Sequence, residues 1–361
     1  MTVFQRRDGR WQATVCVLGR RKTFYGRTEA QARRRAEEFL RRLGTRPLPN
    51  PGRRTVQDVL KTLLRTADLR PRTRADYEDT ARRYLGPLLR TRLTHLEPLA
   101  VLGVLEGLPA RTALKAYRLL HRVLGYAVQL GYLADNPMDR IAPPRYQPHR
   151  KQPWTPEEAS RFLQAASSHP LGPLFLLLAT TGLRVSEALA LRWCALDLAA
   201  GLLRVERSVH RVRRAWVFTP PKTRAGQRTV ALPQQVVAAL RALRRAAVEE
   251  ALRTGSGFSE EALVFNQDGQ PLQHRKVWEA MRLIARQAGV RPSSPHQLRH
   301  LHASALLSQG VGLAEVARRL GHASPAVTAA VYGHALREDR ELAETGARFL
   351  GLGNYSNPEV R

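Results

Sequence analysis

The period of the hydrophobic pattern changes twice along this 361-residue chain. From Met1 to Leu18 apolar and polar residues alternate, with a break at Asp8-Gly9, where glycine permits the positive φ of a tight hairpin turn. Trp11 to Leu18 reads as a second strand that turns at Gly19, and a third short strand follows. Thr28 then opens a helix with Gln31 as its capping-box partner; it runs to about Leu43 and stops at Gly44. Residues 46–54 hold Pro47, Pro49, Pro51 and Gly52 and form a linker. Across residues 55–140 the alternation gives way to helical spacing in Val56–Leu64, Tyr77–Leu89, Pro98–Leu105 and Thr112–Leu130, which predicts four or five helices. Asn136-Pro137 ends that segment, and residues 141–153, with Pro143, Pro144, Pro148 and Pro153, form a second linker.

Thr155-Pro156-Glu157-Glu158 opens the third segment with an N-cap, a proline in the first turn and a capping glutamate. Helices follow to about Trp193, then strand-like runs at Leu202–Val209, Trp216–Phe218 and Arg228–Leu232, then further helices. The pattern predicts a multidomain, mainly α protein with small β-sheets. Its parts are a three-stranded sheet plus helix over 1–45, a small helical domain over 55–140, a larger mostly helical domain over 154–348 with a β insert, and a tail over 349–361.

Charge narrows the class of partner. Lys and Arg number 59 against 30 acidic residues, a net charge of +29, and only six of the 59 are lysine. The excess is spread evenly: residues 1–50 carry +9, residues 51–150 carry +9 and residues 151–361 carry +11. Such a distribution fits one long footprint on a polyanion rather than a single basic tail. The other reading is solvated arginine in a chain of biased composition. Two cysteines, Cys16 and Cys194, make no disulfide framework and point to a reducing compartment. The polar start lacks the apolar core of a signal peptide, and Leu171–Leu183 is too short and interrupted to cross a bilayer. No membrane association is expected.

Four stretches of the third segment carry candidate chemistry. Arg184 starts a helix after the tight turn at Gly182 in TTGLRVSE; Lys222 sits between strand-like runs in PPKTR, on an expected hairpin. His296 and Arg299 are three apart on one helix face, in a helix capped by Ser294 with Pro295 as its first residue. His322 follows a glycine, and Tyr332 lies ten residues later. Singly, each has an ordinary reading: a surface arginine, a solvated lysine, a core histidine, a half-buried aromatic. Together they suit one reaction. Two guanidinium forks can hold phosphoryl oxygens as charge builds, histidines and a lysine can move protons, and a tyrosine in a cationic site can be the nucleophile.

That order of motifs resembles the tyrosine recombinase (phage integrase) family, whose pattern Arg … Lys … His-x-x-Arg … His/Trp … Tyr falls on Arg184, Lys222, His296, Arg299, His322 and Tyr332. The surrounding text, TGLRVSEALALRW, PKTRAGQRTVALP, HQLRHLHAS and LGHASPAVTAAVYGH, is similar too; Gln297 departs from the aspartate many members carry. The resemblance implies a tyrosine recombinase catalytic domain over 154–348, a SAM-like helical core-site-binding domain over 55–140 and an arm-site DNA-binding domain over 1–45 that offers Trp11 and nearby arginines to a groove. It implies a site-specific integrase that cleaves double-stranded DNA, with Tyr332 forming a 3′-phosphotyrosyl link. Arg184 and Arg299 would hold the phosphate, Lys222 would protonate the leaving 5′-oxygen, His296 would assist proton transfer and His322 would bond the phosphate. It further implies no cofactor and no metal, a synaptic tetramer joined through the segment Ala335–Leu350, DNA-bending accessory proteins, and a cytoplasmic, nucleoid-associated location. A chromosome-dimer-resolving recombinase and a type IB topoisomerase share the chemistry. From another class, Leu313–His322 resembles the first part of a helix-turn-helix and would suit a non-catalytic regulator.

Overall fold

The computed structural model describes residues 2–6, 8–17, 20–44, 52–147, 154–221 and 223–332. Much of both expected linkers, Lys222 and everything after Tyr332, including the segment Ala335–Leu350, lie outside the described residues. The chain divides into two compact units, Met1–His149 and Arg150–Arg361.

The first unit opens with an antiparallel sheet of β1 (Thr2–Gln5), β2 (Trp11–Val17) and β3 (Arg20–Gly26), covered by α1 (Glu29–Gly44). Gly9, at φ +78°, makes the first turn, and Gln5 pairs with Trp11 across it. At the start of α1 the Gln31 amide N–H donates to Thr28 Oγ1 while the Gln31 side chain accepts from the Arg27 amide, so the reciprocal cap closes one residue early. Trp11 is not offered outward: it shares the inward face of β2 with Ala13 and Val15 and packs with Phe24 and Phe39 against Ala32 and Ala36. The strand's period of two fixes this, because residues 11, 13 and 15 must face the same way.

A separate core gathers α2 (Val56–Thr66), α3 (Pro71–Tyr84), α4 (Gly86–Leu89), α5 (Pro98–Glu106) and α6 (Ala110–Gln129). The run Tyr77–Leu89 is two helices because Gly86-Pro87 interrupts it, proline lacking the N–H a continuing helix requires. The long α6 supplies Ala116, Leu119, Leu120, Val123 and Leu124 to the core, a stripe at three- and four-residue spacing.

In the second unit, Thr155 and Glu158 make the expected reciprocal cap of α7 (Pro156–Ala166). Trp154 and Phe162 meet at a tilt with ring centroids 4.9 Å apart, and Phe162 meets Phe175 edge-on at 5.5 Å. This buries α7 against the nearly all-apolar α8 (Gly172–Thr181), each fully buried aromatic contributing about 1.5–3 kcal/mol. The one-turn α9 (Val185–Ala188) follows. Then come β4 (Leu196–Asp197), β5 (Leu202–Val205), β6 (Ser208–Val212), β7 (Ala215–Thr219) and β8 (Arg228–Ala231). The run expected over Leu202–Val209 is split: among the described residues β5 pairs with β4 and β8, whereas β6 pairs with β7 alone. Continuing the β5 alternation would turn Arg207 inward beside Val205, so the chain leaves the sheet at Glu206-Arg207. The strands flanking Lys222 therefore do not pair with each other, and its segment is a crossover between two sheets rather than a hairpin.

The remaining elements are α10 (Gln234–Thr254), the short pair β9 (Asn266–Gln267) and β10 (Gln270–Pro271), α11 (His274–Gln287), α12 (His296–Ser308), α13 (Leu313–Leu320) and α14 (Pro325–Tyr332). Ala303 and Leu307 of α12 meet Val316 and Leu320 of α13 in a small core of their own. Among the described residues no helix is long and apolar enough to cross a membrane.

Candidate active site

Two helix ends define the site. α8 terminates at Gly182 (φ +65°) and α13 at Gly321 (φ +70°), both in the left-handed region that favours glycine. A Cβ on Gly182 would sit 2.6 Å from Leu320 Cδ2 and 2.8 Å from His302 Cδ2, so the two ends approach as closely as a bare backbone permits.

Arg299 joins them. Its Nη1 donates to the Gly182 carbonyl at 2.7 Å and its Nη2 to the Leu320 carbonyl at 2.8 Å, and the residue is 1% exposed. Carbonyls at a helix C-terminus lack intrahelical donors and carry the negative end of the dipole, so a guanidinium there is doubly favoured. Arg299 thus faces inward and ties the two helix ends together.

Immediately past Gly182, Arg184 occupies the N-cap position of α9 and remains 39% exposed at its side chain. Glu187 receives it twice, from the Arg184 backbone N–H at 3.1 Å and from Nη1 at 2.8 Å. The same carboxylate accepts Nη2 of Arg228 at 3.0 Å. Burial alone would raise the Glu187 pKa, but the Arg228 charge and hydrogen bond, with Arg184 beside them, hold it below the ordinary carboxylate range.

His296 opens α12. Its first turn closes through the Ser294 carbonyl, which accepts the Gln297 amide at 2.8 Å; the N-cap position falls on Pro295 and has no side-chain cap, so the expected Ser294 cap lies one residue off. The His296 ring meets His300 edge-on at 4.6 Å. Burial, then the charges of His300, Arg299 and Arg184, lower its pKa to about 4. His322 shares a 2.7 Å hydrogen bond between Nδ1 and the buried Thr328 hydroxyl of α14. Burial, then Arg299, Arg184, Arg228 and His296, lower its pKa to about 4 as well.

Four of the six expected residues, Arg184, His296, Arg299 and His322, therefore share one electrostatic environment. Both imidazoles are neutral near pH 7 without an anion present, and a phosphate entering among the arginines would draw their pKa values upward. Arg184 and His296 line an open cleft with Ser186, His274, Trp278 and Pro295, so a ligand reaches them from solvent. Tyr332 ends α14, the helix tied to His322 through Thr328; its side chain and Lys222 lie outside the described residues.

Sequence reasoning missed four polar side chains here. Glu187 carried a legible signal, an acid three residues after Arg184. Arg228 and the pair His302–Arg319, in which Arg319 Nε donates to His302 Nε2 at 2.9 Å, carried none. Burial, then Arg319, lowers the His302 pKa to about 4.

Residues 154–339 match the phage integrase family. A protein of Caldanaerobacter subterraneus subsp. tengcongensis named as a XerC-like tyrosine recombinase is 28% identical over 353 residues, 90% of this chain and 90% of its own length. One of Mycobacterium tuberculosis named as a prophage phiRv2 integrase is 29% identical over 357 residues, 93% of this chain and 92% of its own. Among solved structures, the integrase of transposon Tn1549 in complex with a circular intermediate DNA superposes with a TM-score of 0.67 at 19% identity, over 82% of this chain and 99% of that one.

Proposed function

Because this chain belongs to the phage integrase family, we propose that it is a site-specific integrase that cleaves and rejoins double-stranded DNA through a phosphotyrosyl intermediate. The reaction integrates or excises a mobile element. Tyr332 attacks the scissile phosphate; the P–O bond to the 5′-oxygen breaks, a 3′-phosphotyrosyl link forms and a 5′-hydroxyl leaves. Arg184 and Arg299 stabilise the negative charge that builds on the non-bridging oxygens. His322 donates to the phosphate, using Nε2 because Nδ1 is engaged by Thr328. His296 assists proton transfer at Tyr332, and Lys222 supplies the proton to the departing 5′-oxygen. A 5′-hydroxyl from another strand then reverses the attack, with the phosphodiester energy conserved in the link.

The observation that carries this reading is the convergence of Arg184, His296, Arg299 and His322 on two glycine-capped helix ends. A groove in the helical part of the first unit, lined by Tyr77, Arg111, Lys115, Arg118 and Tyr146, suits a core-type site, and the basic sheet over 1–45 suits an arm-type site. The enzyme works as a tetramer on two duplexes with DNA-bending accessory proteins, in the cytoplasm at the nucleoid. The XerC-like name of one relative supports a second reading, a chromosome-dimer-resolving recombinase, which needs no arm sites.

Trapping tests the assignment. Wild-type protein and Tyr332→Phe are incubated with DNA from the protein's own genomic neighbourhood, quenched in SDS, and the adducted ends sequenced. Adducts at one recurring site, absent from Tyr332→Phe although that variant still binds DNA, are expected. An adduct persisting in Tyr332→Phe overturns the assignment; scattered Tyr332-dependent adducts indicate topoisomerase-like relaxation instead.

A further inference from the structure

At the start of β8, Arg228 touches the machinery at three points without facing the cleft. Its side chain is 6% exposed. Nη2 donates to Glu187 Oε2 at 3.0 Å, Nε to the Arg319 carbonyl at 2.7 Å and Nη1 to the Gly226 carbonyl at 3.1 Å. The first contact sets the carboxylate that holds Arg184: with Oε2 taken by Arg228 and the Arg184 amide, Oε1 is left for Arg184 Nη1. The second contact grips the last turn of α13, from which the chain passes through Gly321 to His322. An independent observation marks how closely it does so. A Cβ on Gly321 would lie 2.7 Å from Arg228 Nη1 and 3.1 Å from its Cζ, so the turn into His322 runs directly against the guanidinium.

We propose that Arg228 is a positioning residue for strand cleavage, setting the guanidinium of Arg184 through Glu187 and the imidazole of His322 through the Arg319 carbonyl. The inference rests on the recombinase reading and extends it to a residue that touches no substrate. Stability alone is a weak account of the arrangement, since a buried ion pair contributes little over well-packed apolar side chains of the same volume. The planar fork is what one guanidinium offers and an ammonium does not: three donors in fixed directions, each on a different stretch of chain.

The test compares Arg228→Met and Arg228→Lys with wild type in the full chain. The probe is a nicked duplex spanning the adducted site recovered by trapping, made once with the natural scissile phosphate and once with a neutral methylphosphonate there. DNA binding within about twofold of wild type and adduct formation at least tenfold slower are expected for both variants. Lys, which keeps a cation against Glu187 but cannot span three partners, recovers little. On the methylphosphonate, which asks less of the clamp, the deficit shrinks to a few-fold. Arg228→Lys carries the test should Arg228→Met fail to fold. Cleavage at the wild-type rate in either variant, or the same deficit on both substrates, overturns the positioning role. Wild-type protein separates the two claims: with no Tyr332-dependent adduct the recombinase reading itself fails, whereas a normal wild-type adduct beside unimpaired variants refutes Arg228 alone.

Discussion

Arginine does different work in the two units. In Met1–His149 every arginine whose side chain is described, except Arg70, is exposed, and Arg10, Arg82 and Arg140 each meet a nearby aspartate at the surface. In the second unit Arg228 and Arg299 are buried and spend their donors on backbone carbonyls and Glu187. Exposed guanidiniums gain little from a partner in high dielectric, and their charge is felt by a polyanion at a distance. Buried ones join stretches of chain that lie far apart in sequence. One unit presents a field; the other builds a geometry.

Arg299→Met against Arg118→Met is the largest test of that contrast. Removing Arg299 leaves the Gly182 and Leu320 carbonyls without their donors, an expected loss of about 3 kcal/mol in denaturant unfolding. Arg118, exposed on the groove of the first unit, should leave stability within about 0.5 kcal/mol. Its loss should instead weaken DNA binding and lower the slope of log K against log salt by about one. Equal stability losses would mean that burial does not divide the two roles.

What the sequence carried and what it did not follow the same division between local and distant. The Asp8-Gly9 turn and the Thr155–Glu158 cap were legible because each closes within a few residues. The positions of Arg184, His296, Arg299 and His322 were legible from residue type and order. The partners of these groups were not: Arg299 meets Gly182 across 117 residues, and Arg228 meets Glu187 across 41. The strand break at Glu206-Arg207 and the inward face of Trp11 belong with them, since both depend on which surface each strand covers.

Glycines give a middle-sized test. Gly182 and Gly255 share nearly the same backbone, φ +65° and +67°, each ending a helix of the second unit. An alanine Cβ at Gly255 meets none of the described residues within 4 Å, so Gly255→Ala should cost only the left-handed penalty, about 1 kcal/mol. Gly182→Ala carries that penalty and also drives Cβ into Leu320 and His302; the Arg299 bridge must open to relieve it. A loss of about 2 kcal/mol or more in thermal unfolding, with slower adduct formation, is expected. Matching losses at the two positions would show that the close approach of the helix ends carries no energy.

The smallest effect is expected two residues from Arg299, at Gln297. Both side chains are buried on α12, yet among the described residues Gln297 Nε2 meets no hydrogen-bond partner whereas Arg299 has two carbonyls. An amide nitrogen shut away from water without an acceptor already bears its desolvation cost in the folded state, so replacing it with an apolar group of similar size removes a penalty rather than a bond. Gln297→Leu should therefore leave unfolding free energy unchanged or raise it by up to about 1 kcal/mol, and should not slow cleavage. A loss comparable to that of Arg299→Met would mean that Nε2 has a partner after all. Burial alone, not the carbonyl contacts, would then be what the two neighbours share.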